Sequence, residues 1–510
     1  MTSFKSYTQP FDTQYALNFD KKIIVDFFAG GGGASTGLEL GLNRIVYVAV
    51  NHNPKSIAMH EANHPYTKHY VQDVFAVDPI KICDGYPVGW FHASPDCTHH
   101  SQAAGGQPRK KEIRDLSWVV KKFAGKVRPD VISLENVKQI LDWGPLIAKR
   151  DKATGRVITL EKIEENGKLI YRVANTGEVV PRQNQFLVPD PKRKGETWLK
   201  FVSDLRKLGY TVEWRKNIIA ADYGAGTIRE RLFMIARRDK YPIQWPEKLF
   251  AKKPTSQQNR WIPTAVFIDW NDLGKSIFKR EKGPLAEATL KRIAKGLKKF
   301  VLDNKYPYFI NPGRYSFNTG NNSNKDVFCD ASIETEILAP YITEFANSSQ
   351  QRNWSIDQPL TTICAQVKGG HHGLVTAKLS KSNYEGALKV AAFIINYYGN
   401  GDARDIRAPM DTITTKDRLA LVTVWIRNEP FMIVDICLRM FKPRELFRAQ
   451  GFPDSYIIDP KYDGKPLSIK DQVHMVGNSV SPMPMAEIAK VNNPFNRELK
   501  SNKEHVYEWS

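Results

Sequence analysis

A chain of 510 residues with 42% hydrophobic content is too long for one small domain and suits two or three, each with its own core. No apolar run approaches the ~20 residues that a membrane helix needs; the best, 386–398, carries Lys389, and the N-terminus lacks a basic segment followed by an apolar one, so a soluble, cytoplasmic protein is expected. Five scattered cysteines without a Cys-x-x-Cys pair argue against a disulfide framework or a zinc ribbon, while a net charge of +20 favours a polyanionic partner over a basic surface kept only for solubility.

The first 240 residues alternate between strand and helix. Strands are predicted over 22–28, 44–50, 69–71, 89–93 and 131–134. Helices are predicted from the glycine cluster through 40, over 56–63, and over 115–126, the last ended by Arg128-Pro129. Such alternation implies parallel βαβ units, and so an α/β fold with a doubly wound, mostly parallel sheet. Residues 150–189 interrupt it with alternating side chains and the turn signals Asn166-Gly167 and Thr176-Gly177, which read as a hairpin insertion. The pattern resumes with a helix over 196–208 and strands over 211–218 and 232–236.

From about 241 the chain is loop-rich, with a basic helix over 288–299 bearing Lys291, Arg292, Lys295, Lys298 and Lys299. An imperfect repeat lies in this region: residues 357–363 recur as 407–413, and each copy is followed by Leu-Val-Thr, at 374–376 and 421–423. Two copies are too few for a solenoid and read as two similar β units of a small separate domain. The α/β character returns after 431 and a charged tail closes the chain. The expected organisation is a first domain over 1–240 with its insertion near 150–189, a second over 241–430, a return segment over 431–492 and a tail over 493–510.

Asp26-Phe27-Phe28-Ala29-Gly30-Gly31-Gly32-Gly33, with Gly37 and Gly41 beyond, follows a strand and opens a helix. Glycines there permit a tight turn and a close approach of backbone to a ligand. A lone glycine-rich turn is a weak signal and fits a dinucleotide loop as well. Against NAD, Asn51 stands where a carboxylate for the ribose would be usual, and Asp26 and Phe28 suit a zwitterionic ligand stacked on an aromatic ring. The segment resembles the first motif of the DNA (cytosine-5) methyltransferases, Asp-Leu-Phe-Ala-Gly-x-Gly-Gly. That resemblance implies a Rossmann-like S-adenosylmethionine-dependent methyltransferase fold with a smaller target-recognition domain. It places Asp26, Phe28, Gly30, Gly32, Gly33 and Pro95 around the cofactor, Asn51 at the ribose and Asp73 at the adenine amino group. On its own, Asp73 reads as a loop acid capping a turn.

Carbon 5 of cytosine is a poor nucleophile until a thiolate adds to carbon 6 and makes an enamine-like adduct. The addition also needs an acid at ring nitrogen 3. Cys97, in Ser94-Pro95-Asp96-Cys97, follows a predicted parallel strand, where α/β sheets place their chemistry. An isolated cysteine is more often core packing. Its standing rises with Glu135-Asn136-Val137, which resembles the family's Glu-Asn-Val motif, whose glutamate contacts nitrogen 3 and the amino group. Thr227-Ile228-Arg229-Glu230-Arg231 resembles Gln-x-Arg-x-Arg and implies that Arg229 contacts the base oxygen while Arg231 supports the loop. Without the other motifs it would read as a solvated charge run. Asp96 replaces the second proline of the family's Pro-Pro-Cys, and Thr227 replaces its glutamine. An acid beside the thiol should raise its pKa, which the loop amides or His99 and His100 can offset.

Pro443-Arg444-Glu445 through Gln450-Gly451-Phe452-Pro453, and Gly477-Asn478-Ser479-Val480, resemble the family's closing motifs, the last of which returns to complete the cofactor pocket. The resemblance thus runs from Asp26 to about Val491 and places target recognition in 241–430. It implies S-adenosylmethionine-dependent methylation of carbon 5 of cytosine in double-stranded DNA by a monomer, with the base flipped out of the stack and no metal. Methylation of cytosine in transfer RNA, or a catalytically silent DNA-binding member, are the alternatives, with a nicotinamide oxidoreductase a distant fourth.

Overall fold

A computed structural model of the chain describes residues 21–95, 117–165, 167–281, 283–310, 337–345, 352–365, 372–398, 422–426 and 429–495. β1 (Ile23–Phe27) begins with three β-branched residues and is buried along its length, as befits a central strand covered on both faces. β2 (Val48–Asn51), β3 (Lys68–Val71), β4 (Val88–Ala93) and β5 (Val131–Asn136) extend from it through parallel pairings. β7 (Glu230–Arg237) enters antiparallel between β5 and β6 (Thr211–Ile219). The seven-stranded order is β6-β7-β5-β4-β1-β2-β3. Strand order reverses between β1 and β4, so a crevice opens at their carboxyl ends, where α/β sheets bind ligands.

α1 (Gly33–Leu42) and α9 (Pro482–Val491) cover one face, their Leu38 and Met485 packing with Ile24, Trp90 and Phe233 of the sheet. α3 (Trp118–Lys126) and α4 (Glu196–Lys207) cover the other with Phe123 and Phe201 against Phe27 and Phe91. The expected doubly wound, mostly parallel sheet is therefore present. The interruption contains a two-stranded hairpin, Ile158–Glu165 with Lys168–Val173.

A second, wholly antiparallel sheet has six strands: β8 (Lys275–Ser276), β9 (Ile337–Glu344), β10 (Arg352–Ser355), β11 (His372–Ser380), β12 (Thr423–Ile426) and β13 (Glu429–Met440). Its main path runs β8-β13-β11-β9-β10, and β12 pairs with β13. The basic helix α5 (Glu287–Leu297) and α6 (Tyr384–Tyr398) cover one face through Ile293, Leu297, Val390 and Phe393. The other face, with Leu338, Ile342 and Leu374, packs on α7 (Pro443–Gln450), α8 (Ile469–Asn478) and Met59 of α2 (Pro54–Asn63). No helix among the described residues is long and apolar enough to cross a membrane.

Two expectations change. The second sheet extends past 431, to Met440, because the apolar run Ile433–Cys437 lies within its strand Glu429–Met440; of the helices that follow from Pro443, α7 and α8 pack on that sheet and α9 on the first. The first repeat copy is not a β unit: residues 356–358 turn, and Leu360 forms a single parallel bridge to Thr227 of the first sheet's Arg229 loop. Proline at 359 and the polar residues around it favour a turn over a ladder. The second copy, 407–413, lies outside the described residues.

Candidate active site

The backbone leaves β1 through residues that favour left-handed geometry, with φ of 61° at Phe28, 55° at Gly30 and 93° at Gly32. At Gly30 a Cβ would meet only the Phe28 carbonyl, at 3.8 Å, so this edge of the loop is open. Gly32 and Gly33 differ. A Cβ on Gly32 would fall 2.3 Å from the Tyr456 hydroxyl; one on Gly33 would fall 2.0 Å from Ser479 Oγ and 2.2 Å from the Val480 carbonyl. Gly33 admits the chain's closing motif and Gly32 admits Tyr456, so only their backbone remains to line a cofactor.

Gly37 and Gly41 depart from the ligand-approach reading altogether. They continue the Gly33 stripe at four-residue spacing along one face of α1. Cβ atoms there would lie 2.6 Å from the Pro482 carbonyl and 2.3 Å from the Ala486 carbonyl, so α9 packs against the bare backbone of α1. This packing carries Ser479 and Val480 to the first loop. Gln450 Nε2 donates to the Ser479 carbonyl (3.1 Å), and Ser481 Oγ donates to the Gln450 carbonyl (2.8 Å), fastening the closing motif to α7. Asn478 is exposed, 3.1 Å from His474 Nε2.

Asn51 ends β2, nearly buried, and its Oδ1 accepts from the Asn53 amide at 2.9 Å. Asp73 is exposed and accepts from the Phe75 amide at 2.9 Å, which is the turn-capping geometry. Asn51 ends β2, which adjoins β1, and Asp73 lies just after β3, the next strand outward. Asp26 is fully buried; burial pushes its carboxyl up to about 7, opposed by the Ser35 hydroxyl, which donates to Oδ2 at 2.7 Å. Its Oδ1 has no hydrogen-bond partner among the described residues.

Side chains beneath the glycine loop extend from Asp26 in a pattern not anticipated from the sequence. Ser35 Oγ lies 2.8 Å from His60 Nε2, and His60 Nδ1 lies 2.9 Å from His69 Nε2. Alongside, His64 Nδ1 lies 3.0 Å from Glu39 Oε2. Burial holds the His60 imidazole well below its usual range, so neutral rings link the half-buried His69 to the buried Asp26. The available signal was the four-residue spacing of His60, on the helix predicted over 56–63, and His64 just beyond its end; nothing in the sequence connects either to Ser35.

At the other side of the crevice, β5 runs two residues beyond its predicted end and carries Glu135 and Asn136, both buried. Arg231 Nε lies 3.2 Å from Glu135 Oε1, and Arg229 Nη2 lies 3.8 Å from it. Arg229 Nη1 donates to the Gly477 carbonyl (3.0 Å), so the arginine loop also touches α8. Asn136 Nδ2 donates to the carbonyl of Pro95 at 2.9 Å, which ties the end of β5 to the segment leaving β4. Pro95 is the last described residue there. Cys97 and Asp96 lie outside the described residues, as do His99 and His100. The structure thus brings Glu135, Arg229 and Arg231 together around a narrow recess beside Phe233 and Ser481, while Asn136 faces the Pro95 carbonyl.

Leu360 secures the arginine loop from the second sheet. Its amide donates to the Gly226 carbonyl (2.8 Å), the Ile228 amide donates to the Leu360 carbonyl (2.9 Å), and Thr227 Oγ1 donates to the Thr361 carbonyl (3.3 Å). Gly477 makes room for the same segment: a Cβ there would sit 2.4 Å from the Ala365 nitrogen.

A family model described as C-5 cytosine-specific DNA methylase matches residues 23–172 and 190–492. No curated protein sequence matches the chain. Among solved structures, one described as a DNA modification methyltransferase encoded within an E. coli prophage shares 15% identity with a TM-score of 0.45, over 93% of this chain and 99% of the other. A mutant of Spodoptera frugiperda DNMT2 shares 14% identity (TM-score 0.45; 92% and 99%), and the Entamoeba histolytica methyltransferase EhMeth 12% (TM-score 0.44; 94% and 99%).

Proposed function

Because the chain belongs to the C-5 cytosine-specific DNA methylase family, whose members use S-adenosylmethionine, we propose that it methylates carbon 5 of cytosine at a specific sequence in double-stranded DNA, with Cys97 as the attacking group. The observation that carries this reading is the buried cluster of Glu135 with Arg231 at 3.2 Å and Arg229 at 3.8 Å, at the carboxyl end of the strand beside the one that leads to Cys97. A carboxyl group backed by two guanidinium groups suits a polar heterocycle that gains electron density during reaction.

The cofactor supplies the methyl group as an electrophile. Phe28 and the Gly30 backbone, with Asn51 and Asp73 at the neighbouring strand ends, would hold it. The open edge at Gly30 and the unpartnered Oδ1 of buried Asp26 fit a cationic, amine-bearing ligand. Cys97 adds as thiolate to carbon 6, forming a carbon–sulfur bond at the expense of the C5–C6 double bond and leaving carbon 5 nucleophilic; once carbon 5 is methylated, loss of its proton to a base expels the Cys97 thiolate and restores the double bond. Glu135 holds a proton at nitrogen 3, and Arg229 binds the base oxygen. Asn136 positions the nucleophile's loop through the Pro95 carbonyl. Carbon 6 is shielded in the stack, so the cytosine leaves the duplex first. The second sheet, with its loops and basic helix over 241–430, reads the target in the groove; the closing helices from 443 to 492 complete the first unit, and 493–510 is a tail.

The test is covalent trapping. The protein with S-adenosylmethionine and duplex DNA containing 5-fluorocytosine should yield a complex that survives denaturation and vanishes in Cys97→Ala. An adduct on RNA and none on any DNA would transfer the assignment to RNA. No adduct on either, with cofactor bound, would leave a silent member of the family.

A further inference from the structure

One concave site lies well away from the Glu135 cluster. α5, the helical turn that follows it and the edge strand β10 border an open cavity of about 210 Å³ lined by Lys295, Lys299, Arg352, Asn353 and Trp354. That is smaller than the ~300 Å³ lower bound of drug-sized sites and large enough for one planar ring system. Asn353 forms its floor; it is nearly buried, and its Nδ2 donates to the Arg292 carbonyl of α5 at 3.2 Å, which locks strand to helix. On either side of it Arg352 and Trp354 are exposed, as are Lys295 and Lys299, one helical turn apart.

No acidic side chain lines the cavity. Glu344, directly opposite Arg352 in the sheet, is nearly buried and lies 3.8 Å from it. Lys295 and Lys299 form no ion pair among the described residues, in contrast to Lys291, which pairs with Glu287 at 2.6 Å on the same helix. An indole left 38% exposed beside three cations is apt as a stacking platform.

Position adds to this. Trp354 lies six positions before Leu360, which is paired to the Arg229 loop. An extended chain of six residues spans at most about 20 Å, so the cavity stands within about six nucleotide steps of the arginine loop. We propose that this cavity binds a nucleic-acid strand beside the reacting cytosine, Lys295, Lys299 and Arg352 taking backbone phosphates and Trp354 stacking on an unpaired base. The inference rests on the nucleic-acid reading above and adds to it a second binding site with its own residues.

The test compares the full-length protein with Lys295→Ala/Lys299→Ala, Trp354→Ala and Trp354→Phe, using a labelled 20-nucleotide DNA as single strand and as duplex across a salt series. The lysine double variant should bind both forms more weakly and lower the salt slope by about two, one for each phosphate that is no longer neutralised. Trp354→Ala should weaken single-strand binding about 5- to 150-fold, and Trp354→Phe should restore most of it. Unchanged melting and S-adenosylmethionine affinity keep the variants interpretable. Variants that match a DNA-binding wild type in affinity and slope would overturn the site while leaving the methyltransferase reading intact. A wild type that binds neither DNA refutes the DNA reading itself, and the site falls with it.

Discussion

Gly41→Ala and Gly125→Ala make the same chemical change in two helices and are expected to move stability in opposite directions. Replacing glycine by alanine in a helix interior gains roughly 0.5–1 kcal/mol of backbone propensity. Gly125 lies exposed in α3 with nothing within 4 Å of the new methyl group, so it should keep that gain. At Gly41 the methyl would lie 2.3 Å from the Ala486 carbonyl oxygen, 2.8 Å from Ala489 Cβ and 3.0 Å from the Ala486 carbonyl carbon. Two of these are backbone atoms and cannot rotate aside. The cost therefore belongs near the top of the ~1–3 kcal/mol range for overpacking, and the net change is a loss of about 2 kcal/mol. Thermal melting of both variants at one pH and salt concentration reads the sign directly; a drop of at least about 4 °C is expected for Gly41→Ala and a rise of about 2 °C for Gly125→Ala. Because α9 carries the closing motif, Gly41→Ala should also weaken S-adenosylmethionine binding. If Gly41→Ala melts at or above the wild type, α1 and α9 do not pack backbone to backbone.

Asp26 gives a pH signature. Burial raises its carboxyl from the usual 3.8 to about 7 in the folded state, so its contribution to stability is full below about 4 and is lost as pH rises through 7, at most about 4 kcal/mol by linkage. Asp26→Asn should flatten that fall in urea unfolding at pH 5 and pH 8; identical pH dependence in both proteins counts against a buried neutral acid. Glu445 accepts from Arg439 Nη2 (2.7 Å) and Nη1 (2.9 Å) and from the amides of Asp269 (2.8 Å) and Lys442 (2.7 Å). Glu445→Ala should cost about 3–5 kcal/mol by stranding a buried guanidinium, and an apolar pair at 439 and 445 should recover part of it; no loss on denaturant titration would make the ion pair incidental. Glu135→Gln should slow methyl transfer by about 10²–10⁴ with cofactor affinity unchanged, whereas a parallel loss of cofactor binding would recast Glu135 as structural.

Much of the first sheet was legible because its signals are local. Ile23, Ile24 and Val25 running into a glycine cluster announce a buried strand and the turn after it, and the Glu135-Asn136 pair marks a strand end whether or not the strand is counted to its last residue. What the sequence concealed depends on partners far along the chain. Gly37 and Gly41 look like extensions of a ligand loop until α9 is present, since their role is set by carbonyls at Pro482 and Ala486 more than 400 residues later. Asp26, Ser35, His60 and His69 are equally silent, because a buried hydrogen-bond chain leaves no periodicity behind.

The repeat shows the same limit from the opposite side. Residues 357–363 carried a real signal, but internal similarity says nothing of where a copy docks. Its Leu360 bridges to Thr227, and the Ala365 nitrogen fills the space left bare by Gly477. The segment between β10 and β11 therefore grips the arginine loop on one side and α8 on the other, while Arg229 joins the two through the Gly477 carbonyl. A displacement of the second sheet would be felt at Arg229 through backbone hydrogen bonds, which tolerate little stretching before they break. The arginine loop and the segment after β10 are thus mechanically one piece, and if the second sheet reads the target as proposed, recognition has a direct route to the side chains around Glu135.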